Sequence, residues 1–330
     1  MEIRTLGPGL RVPALGLGCA GMSGSYGPAD DTESIATIRA AIDAGMTLLD
    51  TADFYGMGHN EMLISRALRP GDREKTVLSV KFGGLRGMDD GFRGIDARPV
   101  AVQNFLAYSL RRLGIDYIDI YRPARLDPAV PIEDTIGAIA ELVQAGYVRG
   151  IGLSEVSAET IRRAHAVHPV TDLEIEYSLF SRGIEDGILA TCRELGIGIT
   201  AYGVLAQGLL SGGWQPANGD GGRTHLPRFA EGNVEANLAL AGQLREIAAA
   251  RGATVAQLAV AWVLAQGRTR GDIVALVGAR RPQRIAEAVG AADLKLTDEE
   301  LAAIERAVPR TAVAGERYAP ALLAMLDSER

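Results

Sequence analysis

The sequence predicts an α/β fold, a (β/α)8 barrel with an N-terminal hairpin and long loops at the carboxyl ends of its strands. Eight short apolar stretches rich in β-branched residues alternate with helical patterns almost to the end of the chain. Several helical patterns are followed by glycine, which commonly ends a helix. Strict alternation requires parallel strands joined by right-handed crossovers, and eight such units can close into a barrel. The length of 330 residues fits one barrel domain over residues 1–330.

Each element has its own signal. Glycine and proline punctuate the chain up to about residue 13 and predict the hairpin. The predicted strands are Ala14–Gly18, Met46–Asp50, Val77–Lys81, Tyr117–Tyr121, Val148–Leu153, Leu173–Glu176, Gly198–Ala201 and Ile273–Val277. The predicted helices are Asp31–Ala44, Asn60–Leu68, Pro99–Leu113, Pro131–Ala145, Ala158–His165, Ile184–Leu195, Glu235–Arg251 and Thr254–Gln266, with a further helix opening after Gly278. The first begins with short oxygen side chains that can cap open amides, and glycine follows four of them, at Gly45, Gly114, Gly146 and Gly196.

Composition excludes several classes of function. The net charge is -7, with 47% hydrophobic and 23% charged residues, so there is no basic footprint for a nucleic acid or an anionic membrane. Two cysteines are too few for a disulfide framework, and neither has a partner at metal-ligand spacing. The start has no signal-peptide pattern, and no stretch is long enough to cross a bilayer. These features predict a cytoplasmic protein, monomeric or homo-oligomeric.

The most informative residues lie where two predicted strands pass into loops. Asp50 ends one apolar strand and Tyr55 follows five residues later, while Lys81 ends the next strand. Strand ends of α/β proteins collect catalytic groups, because the sheet aims them and the loops leave room for a ligand. Alone, Asp50 could cap a turn, Tyr55 could be a packing residue and Lys81 an ion-pair partner. Together they favour chemistry.

These residues resemble the catalytic set of the aldo-keto reductases, and the resemblance extends over nearly the whole chain. The matching runs, in the family's order, are Gly16 to Ser23, Asp50 to Gly56, Lys81, Gly152 to Ser154, Ala201 to Gly203 and Val277 to Arg284. The resemblance implies NADPH-dependent reduction of an aldehyde or ketone. It makes Tyr55 the general acid, Lys81 the cation that lowers the phenol's pKa from its usual value of about 10, and Asp50 the residue that orients Lys81.

One position departs from the family's pattern. The fourth catalytic residue is usually a histidine, and the matching residue here is Ala124, which can neither donate a hydrogen bond nor titrate. His59, on the loop beyond Tyr55, is the only histidine close in sequence to the set. Arg122 and Arg125 flank Ala124 and point either toward the site or into a surface ion pair, and Arg125 is expected to be structural.

The same departure narrows the resemblance to the pyridoxal reductase branch. Ala124 occurs together with the runs Gly152 to Ile161 and Glu176 to Arg182, which are similar to that branch. Pyridoxal carries a ring hydroxyl that can hydrogen-bond its own aldehyde, so it needs less help from a histidine. The substrate expected from the resemblance is pyridoxal or another aromatic aldehyde.

The resemblance also implies a set of cofactor contacts for NADPH. Ser154 matches the position that binds the nicotinamide carboxamide, and Tyr202 either stacks on the nicotinamide or packs in the barrel. Glu155 and Glu174 stand where amides are usual, and an ionised glutamate can accept a hydrogen bond but cannot donate one. Arginines at a helix start suit the 2′-phosphate of NADP. The remaining expected contacts are Gly21, Met22, Gly203, Leu205, Gly208, Gly278, Arg280, Arg281, Arg284 and Glu287.

Other interpretations remain open at this point. A nucleotide-binding redox sensor with little turnover, comparable to the channel-associated β subunits of the family, is favoured by Ala124 and disfavoured by the intact Asp50, Tyr55 and Lys81. A metal-dependent barrel enzyme has no cluster of histidines and carboxylates to support it, so no metal is expected. The glycine-rich stretch Gly212–Gly222 predicts a mobile lid or a solvated connector. The tail Pro309–Arg330 either covers the barrel mouth or packs loosely.

Overall fold

The computed structural model describes residues 1–214, 223 and 225–330, and it confirms the predicted barrel. Eight parallel strands pair in the order β3, β4, β5, β8, β9, β10, β11, β12, and β12 pairs with β3 to close the ring. Most predicted strands extend one or two residues further at the carboxyl end. The strands are β1 (Ile3–Leu6), β2 (Leu10–Pro13), β3 (Leu15–Gly18), β4 (Leu48–Ala52), β5 (Val77–Phe82), β6 (Gly84–Arg86), β7 (Phe92–Ile95), β8 (Ile118–Pro123), β9 (Val148–Ser154), β10 (Val170–Glu176), β11 (Gly198–Tyr202) and β12 (Ile273–Gly278).

The predicted helices are all present, with ends that differ by up to four residues. The first is capped by Asp30, one residue earlier than expected, whose Oδ1 accepts a hydrogen bond from the Glu33 amide at 2.8 Å. The helices are α1 (Asp31–Asp43), α2 (His59–Ala67), α3 (Pro99–Leu113), α4 (Ile132–Gln144), α5 (Ala158–Val167), α6 (Ile188–Leu195), α7 (Asn233–Ala250), α8 (Val255–Gln266), α9 (Pro282–Asp293), α10 (Asp298–Ala307) and α11 (Pro320–Leu323). Glycine stands at the ends of α3 and α6 in the left-handed conformation, as predicted.

The N-terminal hairpin β1–β2 closes the amino-terminal end of the barrel. Leu6 and Val12 of the hairpin pack in one buried cluster with inward-facing residues of the barrel strands, among them Leu48 and Val274. The approach is close at Gly198, where an added Cβ would lie 3.0 Å from Leu6 Cα. This end is therefore plugged by apolar side chains. The large cavity of the described residues lies at the opposite end.

A second hairpin, β6–β7, was not predicted. It follows β5 and stands over the carboxyl ends of the strands, with Phe92 and Leu85 partly exposed. Its strands are short, glycine-containing and largely exposed, so they lack the period-two apolar pattern that marks a half-buried strand. The predicted loop Gly212–Gly222 lies, from position 215 onward, outside the described residues.

No single helix in the described parts of the chain is both long and apolar enough to cross a membrane. Helices α7 and α8 satisfy the length and composition criteria only when they are counted together, and they are bent by 87° relative to each other.

Candidate active site

A cavity of about 1070 Å³ lies at the carboxyl ends of the barrel strands. Strand-end residues form its floor, among them Gly18, Asp50, Lys81, Glu174 and Tyr202. All eight strands run in the same direction, so side chains that are far apart in sequence meet at this one end. The cavity therefore lies where the sequence placed the candidate residues, at the passage from strands to loops.

The structure brings Asp50 and Lys81 together on adjacent strands. Lys81 Nζ donates to Asp50 Oδ1 in a short contact and to both carboxylate oxygens of Glu174, at 3.0 and 3.2 Å. Ser79 Oγ holds the other oxygen of Asp50 at 2.7 Å. The Asp50 and Lys81 side chains are each only 5% exposed, so the ammonium is fixed by two buried carboxylates and has little freedom to move.

Tyr55 lies beside this ammonium, on the turn between β4 and α2. Lys81 Nζ is 5.4 Å from the centre of the Tyr55 ring, and both residues line the cavity. The ring of Phe54 meets that of Tyr55 edge-on at 5.1 Å, which limits rotation of the phenol. The three predicted catalytic residues therefore share one site.

The electrostatics of the phenol differ from the expectation. Burial raises the pKa of Tyr55; the Lys81 ammonium opposes this increase, and the carboxylates of Asp50 and Glu174 add to it. The net pKa is raised, whereas the sequence interpretation expected Lys81 to lower it. Tyr55 thus keeps its proton at neutral pH, which is the state that a general acid requires.

The pKa values of the groups around Lys81 are shifted by burial and by one another's charges. Burial and Glu174 raise the pKa of Asp50 to about 7, against the opposing effects of Lys81 and Arg122. Burial would also raise the pKa of Glu174, but Lys81 and Arg122 outweigh it and lower that pKa. The two carboxylates also outweigh the effect of burial on Lys81 and raise its pKa, so the ammonium remains charged.

Arg122 extends this buried cluster. It forms ion pairs with Glu174 at 3.0 Å and Asp172 at 3.1 Å, and its side chain is fully buried, so it is not in a surface ion pair. Asp172 was not predicted as a site residue, and it also accepts a hydrogen bond from Thr200. The signal available was the run Asp172, Glu174, Glu176, in which every second residue of a buried strand is acidic.

Ala124 lines the cavity, and no histidine replaces the missing one among the described lining residues. His59 bonds instead to Ser23 Oγ at 2.9 Å and to Asp31 Oδ1 at 3.0 Å, away from the cavity lining. Arg125, expected to be structural, lines the cavity. The side chain turns there because Nη1 donates to the Ala124 carbonyl at 2.6 Å and to Ser154 Oγ at 3.2 Å.

Most of the expected cofactor contacts line the same cavity. They are Gly21, Glu174, Tyr202, Gly203, Leu205, Gly208, Gly278, Arg280, Arg281, Arg284 and Glu287. Glu174, however, uses its carboxylate on Lys81 and Arg122 and does not have it free for an amide. Tyr202 Oη donates to Glu155 at 2.7 Å, so its ring is fixed at the cavity wall.

Three expected contacts do not line the cavity. Met22 is 1% exposed and packs in the hydrophobic core. Ser154 is buried, and its hydroxyl accepts the hydrogen bond from Arg125. Glu155 is fully buried, because Arg317 and Ser328, far along the chain, donate to its carboxylate. The family resemblance placed these residues at the cofactor but carried no information on their long-range partners in this chain.

The far end of the cavity is formed by arginines at the start of α9. Arg280 donates to the carbonyls of Tyr26 and Pro28, while the Arg281 and Arg284 side chains are 72% and 65% exposed. On the neighbouring strand ends Gly18 and Gly278 face each other, and a Cβ added to either would meet no atom closer than 3.9 Å. This end therefore combines positive charge with open backbone, and both suit a phosphate-bearing ligand.

The C-terminal tail covers the barrel mouth, which is the first of the two alternatives considered. Tyr318 Oη lies 3.2 Å from Tyr202 Oη, and Leu322 and Met325 line the cavity. Further along, Asp327 accepts hydrogen bonds from the amide and hydroxyl of Ser157, the residue that caps α5. The tail thus forms part of the cavity wall.

Arg317 anchors the tail and provides a test of it. Arg317→Met leaves the Glu155 carboxylate buried without its cation, and we expect the free energy of unfolding at pH 7 to fall by about 3–5 kcal/mol. The cation holds the pKa of Glu155 at about 2 although burial would raise it. The stabilisation is therefore complete above the ordinary carboxyl pKa and is lost as the pH falls toward 2.

Urea denaturation at pH 7 and pH 3 measures this effect. The difference in the free energy of unfolding between wild type and Arg317→Met becomes smaller at pH 3. The Arg317–Glu155 ion pair of the wild type weakens there, and Glu155 of the variant is protonated. Glu329→Gln is the matched control, because Glu329 is a partly exposed partner of Arg317 and its loss costs at most about 1 kcal/mol. A difference that is the same at both pH values contradicts the account.

Within the described ranges no group of three or more histidine, cysteine, aspartate or glutamate side chains is placed to hold a metal ion. The carboxylates of Asp50 and Glu174 are instead paired with the Lys81 ammonium.

Comparison with known proteins agrees with this geometry. The model of the Aldo/keto reductase family matches residues 14–309. A probable aldo-keto reductase 1 of Glycine max is 41% identical over 315 residues, covering 94% of this chain and 89% of that protein.

Solved structures give the same result. A glycerol dehydrogenase from Gluconobacter oxydans is 31% identical, with a TM-score of 0.84 over 93% of this chain and 95% of its own. An aldo-keto reductase from Klebsiella pneumoniae, solved in complex with NADPH, is 28% identical, with a TM-score of 0.74 over 96% of this chain and 100% of its own. With Asp50, Tyr55 and Lys81 gathered at the mouth of a closed barrel, these matches lead to one conclusion: the chain belongs to the aldo/keto reductase family.

Proposed function

We propose that this protein reduces an aldehyde or a ketone to an alcohol with NADPH, with Tyr55 as the proton donor. The observation that carries the proposal is the Lys81 ammonium, held by Asp50 and Glu174 beside the Tyr55 ring in a cavity at the strand ends. The arrangement provides a protonated phenol next to a fixed positive charge. Such a pair can deliver a proton to a carbonyl oxygen and stabilise the charge that develops there.

NADPH, when bound, supplies the hydride for the carbonyl carbon. The residues that would hold it are the open strand ends at Gly18 and Gly278 and the arginines at the start of α9. The NADPH complex of the Klebsiella pneumoniae relative supports this cofactor. In this chain Tyr55 holds the proton at its hydroxyl, Lys81 keeps a positive charge beside it, and Asp50 with Glu174 fixes the ammonium.

The preference for NADPH is tested at the arginines. Arg280→Ala combined with Arg284→Ala is expected to raise the Kd for NADPH by about tenfold or more, because charge-assisted hydrogen bonds to the 2′-phosphate are lost. The Kd for NADH, which lacks that phosphate, changes little. Quenching of protein fluorescence measures both constants. Arg270→Ala, outside the cavity lining, is the control. An equal rise in Kd for NADPH and NADH would contradict the assignment of these arginines to the 2′-phosphate.

We infer that the substrate is pyridoxal or another aromatic aldehyde. Ala124 leaves the fourth catalytic position without a donor, and pyridoxal supplies an internal hydrogen bond to its own aldehyde. Aromatic rings of Phe54, Phe92 and Tyr318 line the cavity and suit a planar substrate. Steady-state oxidation of NADPH with pyridoxal, benzaldehyde and butanal tests this inference. Turnover of the simple aldehydes without turnover of pyridoxal rejects the pyridoxal assignment.

A second candidate is a nucleotide-binding redox sensor with little turnover, and the observation that favours it is Ala124. The two functions differ in one measurement. Tight NADPH binding without consumption on a broad panel of aldehydes and ketones supports the sensor, whereas turnover with any of them supports the enzyme.

A further inference from the structure

Arg125 is a cation at the cavity wall without a carboxylate partner among the described residues. Its Nη1 donates to the Ala124 carbonyl and to Ser154 Oγ, and neither Nε nor Nη2 has a partner there. Nε and Nη2 are not among the fully buried polar atoms, and the side chain lines the cavity. One edge of the planar guanidinium is therefore fixed by the protein, and the other is available.

The neighbouring acid does not neutralise it. Glu155 is the carboxylate whose charge acts on Arg125, but its two oxygens accept from Arg317, Ser328, Tyr202 and the Glu176 amide. The other groups that act on Arg125 are the phenols of Tyr202, Tyr318 and Tyr55, whose raised pKa values keep them neutral.

A half-buried cation without a counter-ion is costly, and a bound anion offsets that cost. The free edge, formed by Nε and Nη2, presents two parallel N–H donors that match the two oxygens of a carboxylate. Near it, the missing side chain at Ala124 leaves space, and Phe54, Phe92 and Tyr318 give the cavity flat apolar walls.

We propose that Arg125 binds an anionic group on the substrate, so that the preferred substrates are aromatic aldehydes that carry a carboxylate or a comparable anion. The inference rests on the proposed carbonyl reduction and names the substrate class of that site. Arg125 acts in specificity: it binds the anionic group of the substrate, while Tyr55 remains the proton donor.

Matched substrates test the proposal. The probes are 4-carboxybenzaldehyde and methyl 4-formylbenzoate, which have the same shape near the aldehyde and differ in charge at the far end. In Arg125→Met, kcat/KM for the carboxylate falls roughly 10- to 150-fold, the range of a lost hydrogen-bonded ion pair, while that for the ester changes less than about threefold. Arg125→Lys keeps the positive charge but not the paired N–H donors of the guanidinium, and it recovers part of the lost kcat/KM for the carboxylate.

Binding of 4-(hydroxymethyl)benzoate, the product, gives a readout that does not depend on turnover. Calorimetry is expected to show at least a tenfold weaker Kd in Arg125→Met than in wild type. If wild type reduces neither aldehyde, the proposed function fails, and the calorimetric comparison still decides whether Arg125 is an anion site.

A positioning role gives the opposite pattern. If Arg125 only holds Ser154 in place for the cofactor, Arg125→Met loses the same fraction of kcat/KM on the acid and on the ester, and its Kd for NADPH rises. An equal loss on the two substrates overturns the proposal, and so does unchanged binding of the product in the variant.

Discussion

Tyr55→Phe is expected to lower kcat for aldehyde reduction by about 100- to 10,000-fold, the range that a general acid contributes. The change removes one hydroxyl from the cavity and leaves the ring that packs against Phe54. Because the pKa of Tyr55 is raised, the wild-type phenol is protonated across the neutral range. Among the described ring contacts, Tyr55 is the one phenol ring that the Lys81 ammonium faces. The Kd for NADPH should stay within about threefold.

The control for this variant is Tyr121→Phe. Tyr121 is a fully buried phenol on β8 whose hydroxyl donates to the Val102 carbonyl at 3.1 Å, outside the cavity lining. Stopped-flow measurement of a single turnover separates chemistry from product release. If Tyr55→Phe reduces an aldehyde at the wild-type rate in a single turnover, another group donates the proton.

Lys81→Met is expected to abolish measurable turnover and to lower the free energy of unfolding by about 3–5 kcal/mol. The substitution leaves Asp50 and Glu174 in one buried site without the ammonium that both accept from. Their mutual repulsion raises the pKa of at least one carboxyl further above its unfolded value. Such a group destabilises the folded state increasingly as pH rises. The loss in the free energy of unfolding relative to wild type is therefore larger at pH 8 than at pH 5.

Chemical denaturation at pH 5 and pH 8 measures the deficit. The double variant Lys81→Met with Asp50→Asn removes one of the two carboxylates, and it should recover part of the stability at pH 8 and none of the activity. A single variant as stable as wild type at pH 8 would show that the buried charges are not coupled as described.

The meeting of Asp50, Tyr55 and Lys81 at one site could be predicted because the information is local. Asp50 and Lys81 end apolar strands, Tyr55 follows at fixed spacing, and parallel strands bring their ends together whatever the loops do. The hairpin β6–β7 (84–95) could not be predicted, because its short and exposed strands show no alternation of apolar and polar residues.

The neighbours of the catalytic set could not be predicted from spacing. The family resemblance placed Glu174 at the cofactor, yet its carboxylate binds Lys81, which is 93 positions away in sequence. The resemblance placed Glu155 there too, but its carboxylate binds Arg317 of the tail, 162 positions later. Long-range ion pairs of this kind depend on how the closed barrel and the tail pack.

The most direct test of the account is the stoichiometry of the reaction catalysed by the wild-type protein. NADPH consumption is followed by absorbance, and the alcohol formed from an aromatic aldehyde is quantified by chromatography in the same sample. We expect one alcohol for each NADPH consumed, with a rate that Tyr55→Phe lowers by about 100-fold or more. Saturated NADPH binding with no alcohol formed from any carbonyl compound on the panel would contradict it.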